Sequence, residues 1–140
     1  MYRLVIVVNL MAWGVATPLV MADCSNLDLR GDYSFVASGT IINAAGLPPG
    51  PFVAAGKTTY AGDGTASGVI QISLAGTQVN STWKGAYVMD PSTCTATKTL
   101  GVDANGTTLH FFITAGNQFR ELRFIATDAG TAISGTARKQ

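Results

Sequence analysis

From residue 32 onward a tight-turn signal recurs at short, near-regular intervals, and this spacing constrains the fold more than any other property of the chain. The signals are "AAGLPPGP", "GDG", "AG", "DPST", "ANG", "GN" and "DAG". Each contains residues that accept tight turns or positive φ. The stretches between them are rich in Thr, Val, Ile, Phe and Tyr, and none shows a long helical period. Eight strands are therefore predicted, at 32–43, 52–61, 65–75, 77–89, 93–103, 107–115, 118–127 and 131–138. Only the first break is long, and its Pro48-Pro49-Gly50-Pro51 run predicts a stiff, extended connection. Short turns leave consecutive strands no option but antiparallel pairing, so the topology is a meander.

One hairpin shows which way the strands face. A turn at Ala75-Gly76 pairs Leu74 with Thr77, Ile72 with Val79, Ile70 with Ser81 and Gly68 with Trp83. One face then gathers Ile70, Ile72, Leu74, Val79 and Trp83. The other gathers Val69, Gln71, Ser73, Gln78, Asn80, Thr82 and Lys84. That is the alternation of a sheet with a single buried face. An eight-stranded meander of this kind removes its two edges by curling into an all-β, antiparallel, up-and-down barrel. A flattened sandwich is the alternative, but the strands follow one another without the long crossover it requires. Gly56, Gly68 and Gly85 fall within strands, where glycine permits a bend or leaves room for a large neighbour such as Trp83 or Tyr87.

The first 22 residues read differently. "MYRLVIVVNLMAWGVATPLVMA" has a basic Arg3, an apolar run to Val20 and small residues at the −3 and −1 positions, Val20 and Ala22. This predicts a signal peptide over 1–22, cleaved before Asp23, and a single domain over 23–140. Asn9 and Pro18 interrupt a run already short for a membrane span. Asp23 ahead of Cys24 is unsuited to lipid modification. A secreted or periplasmic protein with no further membrane attachment is expected. Cleavage removes one of the nine Lys and Arg residues, leaving eight against eight Asp and Glu. A formally neutral chain does not suit nucleic acid, which calls for a basic surface. In an oxidising compartment the two cysteines, Cys24 and Cys94, are expected to form a disulfide. With one histidine they do not make a structural zinc site, and no metal or cofactor is expected.

The stretch "TLHFFITAGNQFRELRFIAT", residues 108–127, holds the only histidine and the only glutamate. A turn at Gly116-Asn117 opposes Thr114 to Phe119, Phe112 to Glu121 and His110 to Arg123. His110, Glu121 and Arg123 then share a face. Pointing inward, they would be the candidate catalytic group, a carboxylate beside a cation and an imidazole. The opposite face carries Leu109, Phe111, Ile113, Leu122 and Phe124, with Arg120 its one charge. It is the more apolar and is expected inside, which places the polar group in water. Phe112, Phe119 and Ile125 fall on that same outer face, a pattern that points to a covering partner such as a second copy of the chain. Asp63, Asp90, Asp103 and Asp128 fall at turns and lack the spacing of a calcium loop. The "NST" at Asn80 and "NGT" at Asn105 are read as strand and turn residues. No serine elbow or phosphate-cradling glycine loop occurs.

The segments "LRGDYSFVASGTI", "PPGPFVAAGKTTYAGDGTASG", "LAGTQVNSTWKGAYVMDPSTC" and "RFIATDAGTAISGTARKQ" together resemble a group of small exported bacterial all-β proteins of unknown function. More remotely, the architecture is similar to lipocalin-like and allene-oxide-cyclase-like barrels. Gly31-Asp32-Tyr33 stands near the position of the lipocalin Gly-x-Trp, with tyrosine for tryptophan. Three functions follow as expectations. One is a non-catalytic barrel binding a small apolar molecule or a partner surface, with Trp83, Tyr87, Tyr60 and Tyr33 lining the interior. An eight-stranded barrel has room for its own side chains or one small ligand. The second is a cyclase- or isomerase-like enzyme using Glu121 with Arg123 and His110. The third is a structural or assembly protein acting through its outer aromatic residues.

Overall fold

Alternation of side chains across each strand, with the apolar set on one side, closes the chain upon itself. The computed structural model describes residues 24–101 and 108–140. The predicted signal peptide and its expected cleavage point, Asp103 and Asn105 lie outside the described residues. Strands β1 (Arg30–Ile41), β2 (Gly50–Ala61), β3 (Thr65–Leu74), β4 (Thr77–Asp90), β5 (Thr95–Gly101), β6 (Thr108–Gly116), β7 (Glu121–Ala126) and β8 (Thr131–Lys139) pair in chain order. β8 returns antiparallel to β1, from Tyr33 opposite Lys139 to Ile41 opposite Thr131, so the sheet is a closed barrel. The predicted fold class is the observed one.

Inside lie Tyr33, Ile41, Phe52, Tyr60, Ile70, Ile72, Leu74, Trp83, Tyr87, Leu100, Leu109, Phe111, Ile113, Leu122 and Ile133, all buried. Thr and Ser are the commonest residues at the outer positions, which suits a wall facing water. The β3–β4 register is the predicted one, Leu74 opposite Thr77 through Gly68 opposite Trp83. Gly68 is needed there: a Cβ would stand 2.8 Å from the indole Nε1 of Trp83 and 2.0 Å from the Lys57 carbonyl oxygen. Val79 departs from expectation. It lies on the inner parity yet is 44% exposed. It sits toward the end of β4 beyond Lys84–Asp90, the span paired with described β5 residues.

One end of the barrel is stoppered. A single 3₁₀ turn, Asn26–Asp28, precedes β1, and Leu29 behind it is fully buried. The Asn26 carboxamide oxygen accepts from the Met89 N–H at 2.8 Å, and the Tyr87 hydroxyl donates to the Leu29 carbonyl at 2.7 Å. Cys24 and Cys94 form the expected disulfide, with Cα atoms 5.3 Å apart. It binds this stopper to the β4–β5 turn.

The β6–β7 hairpin corrects the predicted register. Gly116 opposes Glu121, Thr114 opposes Arg123 and Phe112 opposes Ile125. The turn is longer than the Gly116-Asn117 reading allowed, with Asn117, Gln118 and Phe119 all at positive φ (51°, 55° and 64°). The pairing shifts by an even number, so the side chains that stay paired keep their faces but gain different neighbours. Two residues change place as a result. Arg120 leaves the interior face for the exposed turn, and Phe119 leaves the outer stripe to pack against the core at the stoppered end.

Candidate functional site

The sequence-predicted cluster does not assemble. His110, Glu121 and Arg123 all stand on the outer, exposed face, and each has separate company. His110 Nδ1 lies 2.7 Å from the Asp128 carboxylate, whose other oxygen accepts the His110 backbone N–H at 2.7 Å. The pair clasps the β7–β8 turn to β6. Glu121 lies 3.6 Å from Arg138 of β8, both largely solvated. Arg123 faces Thr114 and Thr136 across the sheet. Exposed pairs of this kind are worth little to stability.

The aspartates at turns serve the turns. Asp63 accepts from the N–H and hydroxyl of Thr65, and Asp90 from the N–H and hydroxyl of Ser92 and the N–H of Thr93. These bonds hold both carboxyls below the usual carboxylate value. Asp32 is held down likewise by the Thr59 hydroxyl and by Lys57.

The predicted interior residues are brought together. Tyr33, Tyr60 and Tyr87 stack edge to face, with centroids 5.4 Å and 5.2 Å apart. Their hydroxyls are all engaged: Tyr33 donates to the Phe119 carbonyl, Tyr87 to Leu29, and Tyr60 accepts from Lys98. Burial, with Tyr33 and Tyr87 alongside, pushes the Tyr60 phenol well above its ordinary value. Trp83 is buried as well, and its indole N–H finds no acceptor among the described residues. Such an orphan costs about 1–3 kcal/mol.

Lys98 is the residue that sequence reasoning missed. The β5 segment "TATKTLG" alternates, and Lys98 shares its parity with Ala96 and Leu100. It therefore projects into the barrel, between Tyr87 on β4 and Phe111 on β6. It is 7% exposed. Its Nζ donates to the Tyr60 hydroxyl at 3.3 Å and sits 5.0–5.9 Å from the ring centres of Trp83, Tyr60, Phe111 and Phe124. Among the described residues no carboxylate comes within ion-pair distance of it. The four rings supply cation–π attraction in place of a counter-ion. Even so, burial pulls its pKa down to about 8. Beside it is a void of about 30 Å³, bordered by Thr58, Tyr60, Phe111, Phe124 and aliphatic walls. Room for one or two waters is all this provides.

Outside, a shallow trough of about 860 Å³ runs across five strands. Its central row is continuous from Val53 through Ser38, Ser134 and Ile125 to Phe112. Val53 and Val36 form one apolar shoulder, 56% and 59% exposed. Ile125 and Phe112 form the other, 52% and 37% exposed. Short hydroxyl side chains, Ser38, Ser134 and Thr136, make the floor between them.

Comparison with protein-family models, with curated proteins and with solved structures found no match.

Proposed function

We propose that this chain is an exported, non-catalytic binding barrel that works through its outer trough, and that the trough seats a second copy of the chain. The observation that carries this reading is the pairing of two exposed apolar shoulders, Val36 with Val53 and Phe112 with Ile125, across a floor of small residues. A shoulder of one copy would lie over the floor of another, and a two-fold arrangement would bury both sets at once. The balance of charge supports the fit, because eight basic and eight acidic residues over 23–140 leave no net repulsion between copies. Large apolar side chains gathered on an exposed face are a usual mark of such an interface.

A small apolar ligand held inside the barrel is less well supported. Binding sites for such molecules occupy roughly 300–1,000 Å³. The void beside Lys98 measures about 30 Å³, so among the described residues Trp83 and the three tyrosines act as filling. An enzymatic reading through Glu121 lacks a second group on the substrate's side, since His110 and Arg123 are engaged or directed elsewhere on the outer face.

Sedimentation velocity tests the proposal. The unmutated barrel is expected to sediment as a dimer at micromolar concentration, and Phe112→Asp, which places a charge on the shoulder, as a monomer with an unchanged far-ultraviolet spectrum. A monomer for the unmutated chain at millimolar concentration would end it.

A further inference from the structure

An amine enclosed among aromatic rings, with no carboxylate among the described residues to hold its proton, is placed for nucleophilic chemistry. Lys98 meets that description through its position alone: 7% exposed, midway along β5, with the Tyr60 hydroxyl 3.3 Å from Nζ and a void at its side. We propose that Lys98 is a covalent capture site for small aldehydes, its amine condensing with the carbonyl to give a Schiff base inside the barrel.

The reaction balances without any added oxidant or reductant. The neutral Nζ lone pair adds to the carbonyl carbon, forming the C–N bond as the C=O π pair moves to oxygen. That oxygen takes a proton, and Nζ loses one, giving a carbinolamine. The Tyr60 phenol, kept protonated by its burial, then donates to the hydroxyl. Water leaves, the nitrogen pair closes the C=N bond, and the remaining N–H proton returns to the phenolate. Aldehyde and amine have become imine and water. The apolar walls favour the imine, because they keep out the water that reverses the reaction. Desolvation of this kind is an established means of freeing a lysine amine. With its pKa near 8, about a tenth of Lys98 is neutral at pH 7, against fewer than about one in a thousand of surface lysines. The small void limits the partner to a few heavy atoms.

The test is reductive ethylation of the folded, disulfide-bonded protein with acetaldehyde and cyanoborohydride at pH 7, followed by peptide mapping. Lys98 is expected to be ethylated at least about tenfold faster than the exposed Lys57, Lys84 and Lys139. Tyr60→Phe, which keeps the ring and removes the acid, is expected to slow Lys98 by about tenfold or more while the other three keep their rates. The Phe112→Asp variant is expected to label as the unmutated protein does, so the outcome is independent of the trough. Ethylation spread over Lys57, Lys84 and Lys139, with Lys98 reached only after unfolding in urea, would overturn the proposal.

Discussion

Lys98 shows how one side chain can shape the pH response of a whole fold. Its pKa falls from 10.5 to about 8 on folding, so between those values the unfolded chain holds the proton that the barrel has released. Stability therefore rises with pH across that interval, and the full penalty, about 3 kcal/mol, is present below pH 8. Above pH 10 the trend reverses, because Tyr33, Tyr60 and Tyr87 have raised values in the barrel and ionise first in the unfolded chain. Urea titrations from pH 7 to 11 are expected to show a maximum near pH 10; a flat profile would mean that the ammonium is stabilised in place. Lys98→Met, similar in volume and free of charge, is expected to raise the melting temperature at pH 7 and to abolish the rise between pH 8 and 10. Nothing about a lysine in isolation announces burial. The clue lay in its alternation with Ala96 and Leu100, a weaker signal than the Ile70, Ile72 and Leu74 series because two of the three inward side chains are small or charged. His110, by contrast, drew attention through rarity, and rarity carries no information about which neighbour a residue will meet.

At the scale of the hairpin, parity was legible in both cases and register in only one. In β3–β4 the turn Ala75-Gly76 is two residues with a positive-φ pair, and the pairing follows from it directly. In β6–β7 the Gly116-Asn117 pair offered the same signal, yet the chain turns through three successive left-handed residues. The compensation is long-range: the Phe119 carbonyl receives the Tyr33 hydroxyl and the Arg120 carbonyl receives the Lys139 N–H. A local pattern cannot report bonds to β1 and β8. Left-handed geometry costs a non-glycine residue roughly 1–2 kcal/mol. Gln118→Gly is thus expected to stabilise the barrel by about 0.5–1 kcal/mol after glycine's entropic disadvantage, measured by denaturant midpoint. The stopper rests on a different constraint. Its disulfide spans 70 residues, and Cys94→Ser is expected to lower stability by about 4 kcal/mol at unchanged pH. A loss under 1 kcal/mol would show that the Asn26 and Tyr87 bonds suffice by themselves.

For the molecule as a whole, closure into a ring was readable because the strands alternate and every break but the first is short. How full the ring is was not readable, since filling depends on which large and small side chains meet across it. Gly135 lies opposite Phe124, and a Cβ there would be 2.4 Å from the ring, so the aromatic takes up space the glycine leaves. Gly68 makes room for Trp83 in the same way, and the void left beside Lys98 is about 30 Å³. At the acid end, Asp32, Asp63 and Asp90 have values below 3.8 in the barrel, so their contribution is present above that pH and is lost as pH falls below it. The seam between β1 and β8 has a further bearing, on how the protein comes into being. Of the eight strands, the last to be synthesised is the one that seals the wall. Until Thr131–Lys139 dock, β1 and β7 both present bare amides and carbonyls to any passing chain. A polypeptide halted before residue 131 is therefore primed to polymerise edge to edge, and the nine residues of β8 separate a sealed wall from a fibre seed.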